Sequence, residues 1–313
     1  MMLPFTKPIT EVVPIIDDDY IMSLLNSYSS VLTEIVNFSS HILLWDIKKK
    51  REGKDNHIPT LFLRNMIDLI DGIAILTKSS SIDTAKLLVR SLFENNLYLT
   101  YMLQGDEKLL SRCFMVWRVK NQIKTMKQYV SSNQSSKEFF SKLKKDHIDV
   151  ELGKYLDRKD TIEFLKTKAD LLKRDDWKKV AIEYEKTAKR NRNPKWYSLY
   201  DGPRNIEGLS LHLRKSFHYN FIYRNLSQYS HVTRVVKGFA FSKHEKDKAH
   251  IIQIRDFESS KEVLEYTVSF FLETLVGYIN KRLPEKSEAR LEWYTKFKPA
   301  YEMVLSKSFN YLK

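Results

Sequence analysis

The sequence predicts an all-α fold, a multi-helix bundle that forms one domain over residues 1–313. Hydrophobic residues make up 42% of the chain, which is enough for a substantial core. Eight glycines and eight prolines are few for 313 residues and argue against a turn-dense all-β fold. Apolar residues recur at helical spacing, and no stretch alternates between apolar and polar residues for long enough to require a sheet.

Three helices are expected in the first third of the chain. The acidic run 17–19 suits the positive end of a helix dipole, so the first helix begins there and ends near the basic run 48–51. Pro59 opens a second helix that extends to about residue 78. A third helix occupies about 82–104, and the second and third are predicted to form an antiparallel hairpin.

The middle of the chain is predicted to hold a fourth helix, about 107–131, and then a charged helical insertion at 132–195. Residues 107–195 carry 24 Lys and Arg against 13 Asp and Glu, a net charge of +11, whereas the whole chain carries +14. A polyanion partner such as RNA is one explanation of this excess. Lysine-coated faces of solvent-exposed helices explain the same excess, so both interpretations stay open.

The C-terminal third is also predicted to be helical. A short helix near 206–215 precedes the helix that carries 223–231. A charged loop is expected at about 242–250, followed by a long apolar helix, about 257–282, and a final amphipathic helix, about 285–311.

Composition and motifs exclude several classes of protein. The most apolar stretches, 86–103 and 263–279, each contain charged residues and do not resemble membrane spans; with no signal peptide in view, we expect a cytoplasmic protein. Cys113 is the one cysteine, so it cannot form an internal disulfide, and it provides no CxxC or zinc-site spacing. No HExxH, ExxH, GxxxxGK[ST], GxGxxG or GxSxG motif occurs, and we expect neither a metal nor a cofactor.

The strongest candidate for a functional site is the stretch YRNLSQYSH, which begins at Tyr223. Arg224 and His231 are seven residues apart, so they share one face of a helix, about 10 Å apart along its axis, with Ser227 between them. An arginine binds phosphate, and a histidine transfers protons near neutral pH. Tyr223 and Tyr229 can stack on RNA bases or pack in the core.

Two sequence blocks form a recurring pattern, and the second of them includes this stretch. The first is LVRSLFE, an RSLxE pattern that contains Arg90 and Glu94. The second combines Trp196 with YRNLSQYSH in a W…YRxLSxYxH pattern. In this order the two blocks resemble a bacterial all-helical family of unknown function, over about residues 60–240. The resemblance implies that Arg90, Glu94 and Trp196 belong with the candidate site.

Arg224, Asn225 and His231 also resemble the signature of the HEPN superfamily of helical-bundle ribonucleases and nucleotide-binding modules. The resemblance implies metal-independent RNA cleavage at a composite site of a homodimer, in a toxin or phage-defence role. His231 would act as base or acid, and Arg224 would hold the phosphate. Asn225, Ser227 and Tyr229 would orient these groups. One histidine does not readily serve as both acid and base, so a twofold dimer would supply the second His231.

Two other interpretations stay open. In the first, the protein is a non-catalytic scaffold or interaction module, and Arg224, His231, Arg90 and Glu94 form a structural polar network in which Arg224 pairs with an acid such as Glu94. In the second, the bundle binds a nucleotide or another small ligand, with Arg224 on the phosphate.

Charged groups within apolar helices need partners, and the second helix offers three candidates for Arg90 and Glu94: Arg64, Asp68 and Asp71.

Overall fold

The computed structural model describes residues 9–14, 16, 18–51, 53–146, 154, 156–230, 238–241, 249–255 and 257–307. The chain is an all-α, multi-helix protein, as predicted. No helix within these ranges has the length and apolar character needed to cross a bilayer. The α-helices of the described ranges are, in chain order, α1 (Asp19–Lys48), α2 (Ile58–Lys78), α3 (Ile82–Gln104), α4 (Glu107–Met126), α5 (Gln134–Lys145), α6 (Lys159–Leu172), α7 (Asp175–Arg190), α8 (Ile206–His212), α9 (Arg224–Ser230), α10 (Ser260–Arg282) and α11 (Ser287–Ser306).

The boundaries of α1, α2 and α3 agree with the sequence expectation, whereas α4, expected over about 107–131, ends at Met126. Asp18 caps α1, because its carboxylate accepts hydrogen bonds from the backbone N–H groups of Tyr20 (2.8 Å) and Ile21 (3.0 Å). Pro59 lies in the first turn of α2, where a missing N–H costs no helical hydrogen bond. The last helix, expected over 285–311, occupies Ser287–Ser306 and ends there, because Lys307 has an extended backbone.

The described residues divide into two compact units. The first is drawn from Met1–Gln104 and Ser210–Lys313, and the second from Gly105–Leu209. In the first unit α3 packs against α2, α9 and α10, while α1 packs against α2 and α10. The core between these helices consists of apolar side chains at three- and four-residue spacing. Among its fully buried members are Leu32, Ile35, Leu63, Ile70, Phe93 and Phe271.

A buried polar cluster lies within this apolar core. Asp46, which is 1% exposed, accepts hydrogen bonds from Arg282 Nη2 (2.9 Å) and from the Tyr278 hydroxyl (2.7 Å). Its second carboxylate oxygen accepts from Arg51 Nη2 (2.7 Å), and the Thr60 hydroxyl also donates to Asp46. Burial raises the pKa of Asp46, but the hydrogen bonds from Arg282, Thr60 and Tyr278 outweigh burial and lower the pKa to about 2. The cluster therefore holds a carboxylate ionised inside the bundle.

The second unit contains α4 to α7 and a buried aromatic cluster. Trp196 is 2% exposed, and its ring lies edge-on to Phe114 (5.9 Å between centroids) and to Tyr197 (5.6 Å). The insertion predicted at 132–195 lies within this unit, which also includes α4. No described side chain of α6 is buried, which agrees with the sparse apolar pattern of this segment.

A short hairpin occurs where the sequence indicated a charged loop at 242–250. Strand β1 (Phe239–Phe241) pairs antiparallel with strand β2 (Ala249–Ile251). Strands of three residues are too short to produce a recognisable two-residue period, so the sequence pattern did not predict them. Residues 242–248, between the strands, lie outside the described ranges.

Candidate functional site

The candidate stretch lies on a helix with an unusual geometry. Residues His218–Tyr223 form a π-helix that continues directly into α9. The backbone N–H of Arg224 accordingly donates to the carbonyl of Tyr219, five residues earlier. The sequence predicted an ordinary helix here, because a π turn differs from an α turn by one residue and leaves no distinct apolar period. A π turn changes which side chains share a face, and such turns are frequent at functional sites.

One face of this helix is attached to the RSLxE segment of α3. The Tyr223 hydroxyl donates to Glu94 Oε1 (2.7 Å) and accepts from Arg90 Nη2 (2.9 Å). Arg90 Nε donates to Ser227 Oγ (3.1 Å), and Arg90 also pairs with Glu94 (3.3 Å). Burial, together with the neighbouring Glu94 carboxylate, raises the pKa of Tyr223 to about 12, so its hydroxyl remains a donor. Four of the predicted site residues thus form one half-buried network: Arg90, Glu94, Tyr223 and Ser227.

Tyr229 makes a second connection between the same helices. The Lys86 ammonium donates to the Tyr229 hydroxyl (2.8 Å), and Lys86 is 4% exposed. Asp83, one turn earlier on α3, lies 3.8 Å from the same ammonium. Tyr229 therefore contacts a buried cation and, like Tyr223, fixes the orientation of its helix on α3.

Arg224 and Asn225 lie outside this network and are exposed. Arg224 Nη1 donates to the Asn220 side-chain oxygen (3.4 Å), and Asn225 Nδ2 donates to the Phe221 carbonyl (2.7 Å). The pairing of Arg224 with Glu94, which was the example given for the structural interpretation, is not the arrangement found: Arg224 donates to Asn220, while Tyr223 and Arg90 contact Glu94 Oε1.

The other predicted site residues lie elsewhere. His231 lies outside the described residues, so its predicted role is not tested. Trp196 belongs to the second unit and packs in the aromatic cluster there. The predicted partners on α2 are also different from those found for Arg90 and Glu94: Arg64 lies 3.9 Å from Asp68 in an exposed pair.

A cleft of about 330 Å³ borders the exposed side of α9. Its lining includes Asn225, Gln228 and Tyr229 from this helix and Lys86 from α3. Glu262 on α10 also lines it, and its carboxylate accepts a hydrogen bond from the Tyr266 hydroxyl (2.7 Å). The volume suits a group the size of a nucleobase or a small ligand, and most of the residues named here are polar.

A further buried cation, Lys215, lies close to the candidate stretch and was not predicted from the sequence. Lys215 is 5% exposed, and its ammonium donates to Asn96 Oδ1 (2.7 Å) and Glu273 Oε2 (2.6 Å). Burial lowers the pKa of Lys215, and burial together with the Lys215 charge lowers the pKa of His218. The sequence offered no signal for this site, because its residues come from α3, α10 and the segment before the π-helix. No described group of three or more His, Cys, Asp and Glu side chains is arranged to hold a metal ion.

Replacing Tyr223 by phenylalanine is expected to lower the free energy of unfolding by about 1–2 kcal/mol. The substitution removes the donor to Glu94 and the acceptor of Arg90 while leaving the buried ring in place. Urea unfolding followed by circular dichroism measures the change. Tyr294→Phe on α11, where the ring is 37% exposed, is the control and should change stability by less than about 0.5 kcal/mol. Equal effects of the two substitutions would contradict the network described here.

Comparison with family models identifies the chain. A model described as a family of unknown function, DUF5677, matches residues 56–249, which include both sequence blocks. The comparisons with curated proteins and with solved structures found no match. The matched region covers more than half of the 313 residues and confirms the predicted membership in a family of unknown function. The chain belongs to the DUF5677 family.

Proposed function

We propose that this protein binds and cleaves RNA without a metal ion, using Arg224 and His231 in a HEPN-like arrangement. The observation that carries the proposal is that neighbouring side chains of one helix have different surroundings. Tyr223 and Ser227 attach the helix to Arg90 and Glu94, while Arg224 and its neighbour Asn225 are exposed. An arginine paired with a buried acid has few donors left for a ligand, whereas an exposed arginine can bind a phosphate through two of them.

The rigid attachment of the helix also supports this proposal. Catalytic groups act best when their backbone is already held in place, because ordering them costs free energy during the reaction. Tyr223 and Tyr229 attach the segment 223–229 to α3 at two points, just before His231 in the chain. Arg224 is therefore presented from a fixed backbone rather than from a loop.

The proposed reaction is an internal transesterification. One His231 takes the proton of the 2′-hydroxyl, the 2′-oxygen forms a bond to phosphorus, and the bond from phosphorus to the 5′-oxygen breaks. The His231 of a second copy donates a proton to the leaving 5′-oxygen, and Arg224 stabilises the charge on the phosphate. The products are a 2′,3′-cyclic phosphate and a free 5′-hydroxyl. The reaction thus requires a homodimer.

His231→Ala is expected to abolish RNA cleavage that the wild-type protein carries out in the presence of EDTA. Denaturing gels and mass spectrometry of the fragments measure the cleavage and identify the 2′,3′-cyclic phosphate ends. His41→Ala, an exposed histidine on α1, is the matched control and should cleave like the wild type. Wild-type protein that cleaves no RNA, or His231→Ala protein that cleaves as fast as the wild type, would refute the proposal.

Binding of a nucleotide or another small ligand is the second candidate, and the cleft beside α9 favours it. Its volume of about 330 Å³ and its polar lining suit one nucleoside unit, and Lys86 supplies a buried positive charge. Calorimetry with nucleoside mono- and triphosphates separates the two candidates. Saturable nucleotide binding without RNA cleavage would favour the second.

A further inference from the structure

Two phenylalanine rings are exposed on the outer side of the candidate helix. Phe217 is 64% exposed and Phe221 is 63% exposed. Their ring centroids are 4.7 Å apart with an angle of 29° between the planes, so the rings stack on each other at the surface. Single exposed apolar residues are ordinary, but an adjacent pair of large aromatic rings leaves a substantial apolar area in water.

The local structure keeps both rings at the surface. Residues 218–223 form the π-helix, and Ile222 and Tyr223 on its opposite side are buried. Tyr223 is held by Glu94 and Arg90, so the helix cannot rotate to bury the phenylalanines without breaking that network. The exposed position of the rings is thus imposed by the attachment of the opposite face.

Two exposed arginines lie close to the rings in sequence, and the Glu262 carboxylate lines the cleft that Phe221 borders. Arg214 precedes Phe217 by three residues, Arg224 follows Phe221 by three, and both arginines are exposed. Asn220 lies between the rings in sequence and accepts a hydrogen bond from Arg224. Phe221 also borders the polar cleft of about 330 Å³ described above. Aromatic faces next to arginines are the combination that binds unpaired nucleotides, because every base has a face that can stack and every nucleotide has a phosphate.

We infer that Phe217 and Phe221 form a stacking platform for the bases of single-stranded RNA, which places a phosphate at Arg224. The inference rests on the proposed function and names its substrate class. Duplex RNA is excluded from this platform because its bases stack on one another and expose no faces. Purines should bind more tightly than pyrimidines, since their larger rings cover more of the outer face of a phenylalanine ring.

The inference predicts that a Phe217→Leu, Phe221→Leu double variant binds oligoadenylate at least about fivefold more weakly. Leucine keeps the surface apolar but cannot stack, whereas a Phe217→Tyr, Phe221→Tyr variant keeps the stacking and should bind within about twofold of the parent. Fluorescence anisotropy of a labelled single strand measures the affinity, in a His231→Ala background that leaves the RNA intact. Leu211→Ala, with a side chain that is 68% exposed, is the matched control and should not change binding.

A strand that carries ribose and phosphate but no bases tests whether stacking is the cause. The parent protein should bind this abasic strand at least about fivefold more weakly than oligoadenylate, and the double leucine variant should bind both strands equally. If the leucine variant prefers oligoadenylate over the abasic strand by the same affinity ratio as the parent protein, the inference is overturned while the proposed function stands. If the wild type neither binds nor cleaves RNA, both fail. Loss of a homodimer in the leucine variant at unchanged RNA affinity would make this face an interface between copies and overturn the inference alone.

Discussion

Asp46→Ala is expected to lower the free energy of unfolding by about 3–5 kcal/mol, more than the other substitutions considered for this protein. The substitution leaves the Arg282 guanidinium, which is 2% exposed, without its carboxylate partner inside the bundle. It also removes an acceptor from Arg51, Thr60 and Tyr278. Chemical denaturation measures the loss. Asp68→Ala on α2, at an exposed position, is the control and should change stability by less than about 0.5 kcal/mol.

The same cluster makes stability depend on pH in a defined direction. The pKa of Asp46 is about 2 in the folded protein against an ordinary value of 3.8, so the folded state favours the ionised form. Its contribution is fully present above the ordinary value and is lost as the pH falls from 3.8 towards 2. The wild type should therefore lose stability across this window faster than Asp46→Asn. If the free energies of unfolding of the two proteins fall in parallel with pH, the lowered pKa of Asp46 is contradicted.

Arg224→Ala is expected to reduce RNA cleavage by about 10²–10³-fold with little change in stability. The guanidinium is exposed, and within the part of the chain that the structure describes it makes one long hydrogen bond, of 3.4 Å to Asn220, so its removal leaves no described buried group unpaired. Arg90→Ala, by contrast, should lower the free energy of unfolding by about 1–3 kcal/mol, because Glu94 and Tyr223 lose a partner.

Rates of cleavage measured beside denaturation curves separate the two roles. Arg224→Lys keeps the charge but cannot bind a phosphate bidentately, so its cleavage rate should lie between those of the wild type and Arg224→Ala. If Arg224→Ala cleaves at the wild-type rate, the phosphate-binding role is refuted. If it unfolds as readily as Arg90→Ala, Arg224 has a structural role that its exposure does not indicate.

The helices of this protein could be predicted because their signals are local. Helix α3 was expected over about 82–104 and occupies Ile82–Gln104, since the apolar period and Gly105 define it within a short stretch. The pairing of Arg90 with Glu94 was also predictable, because residues four apart on a helix are neighbours. The hairpin of β1 and β2 was not predictable, since three paired residues carry no period.

The contacts and exposure of the candidate-site residues could not be predicted from local sequence signals. The spacing of YRNLSQYSH indicated that Arg224 and Ser227 share a face, but in the structure Ser227 bonds to Arg90 while Arg224 is exposed. The π turn over His218–Tyr223 and the position of Tyr223 against Glu94 decide which side chains face α3. The contact of Tyr223 with Glu94 depends on residues far apart in sequence, since they are 129 positions apart.

By itself, the sequence determined the fold class, the boundaries of the first three helices, the family and the residues that deserve testing. Each of these follows from composition, from spacing within one helix or from the order of two blocks along the chain. Only the tertiary structure decided that Tyr223 and Ser227 attach the helix, that Arg224 is exposed, and that Phe217 and Phe221 stack at the surface. The physical reason is that burial depends on which elements pack together, and the hydrogen bonds that select the buried face join residues far apart in the chain.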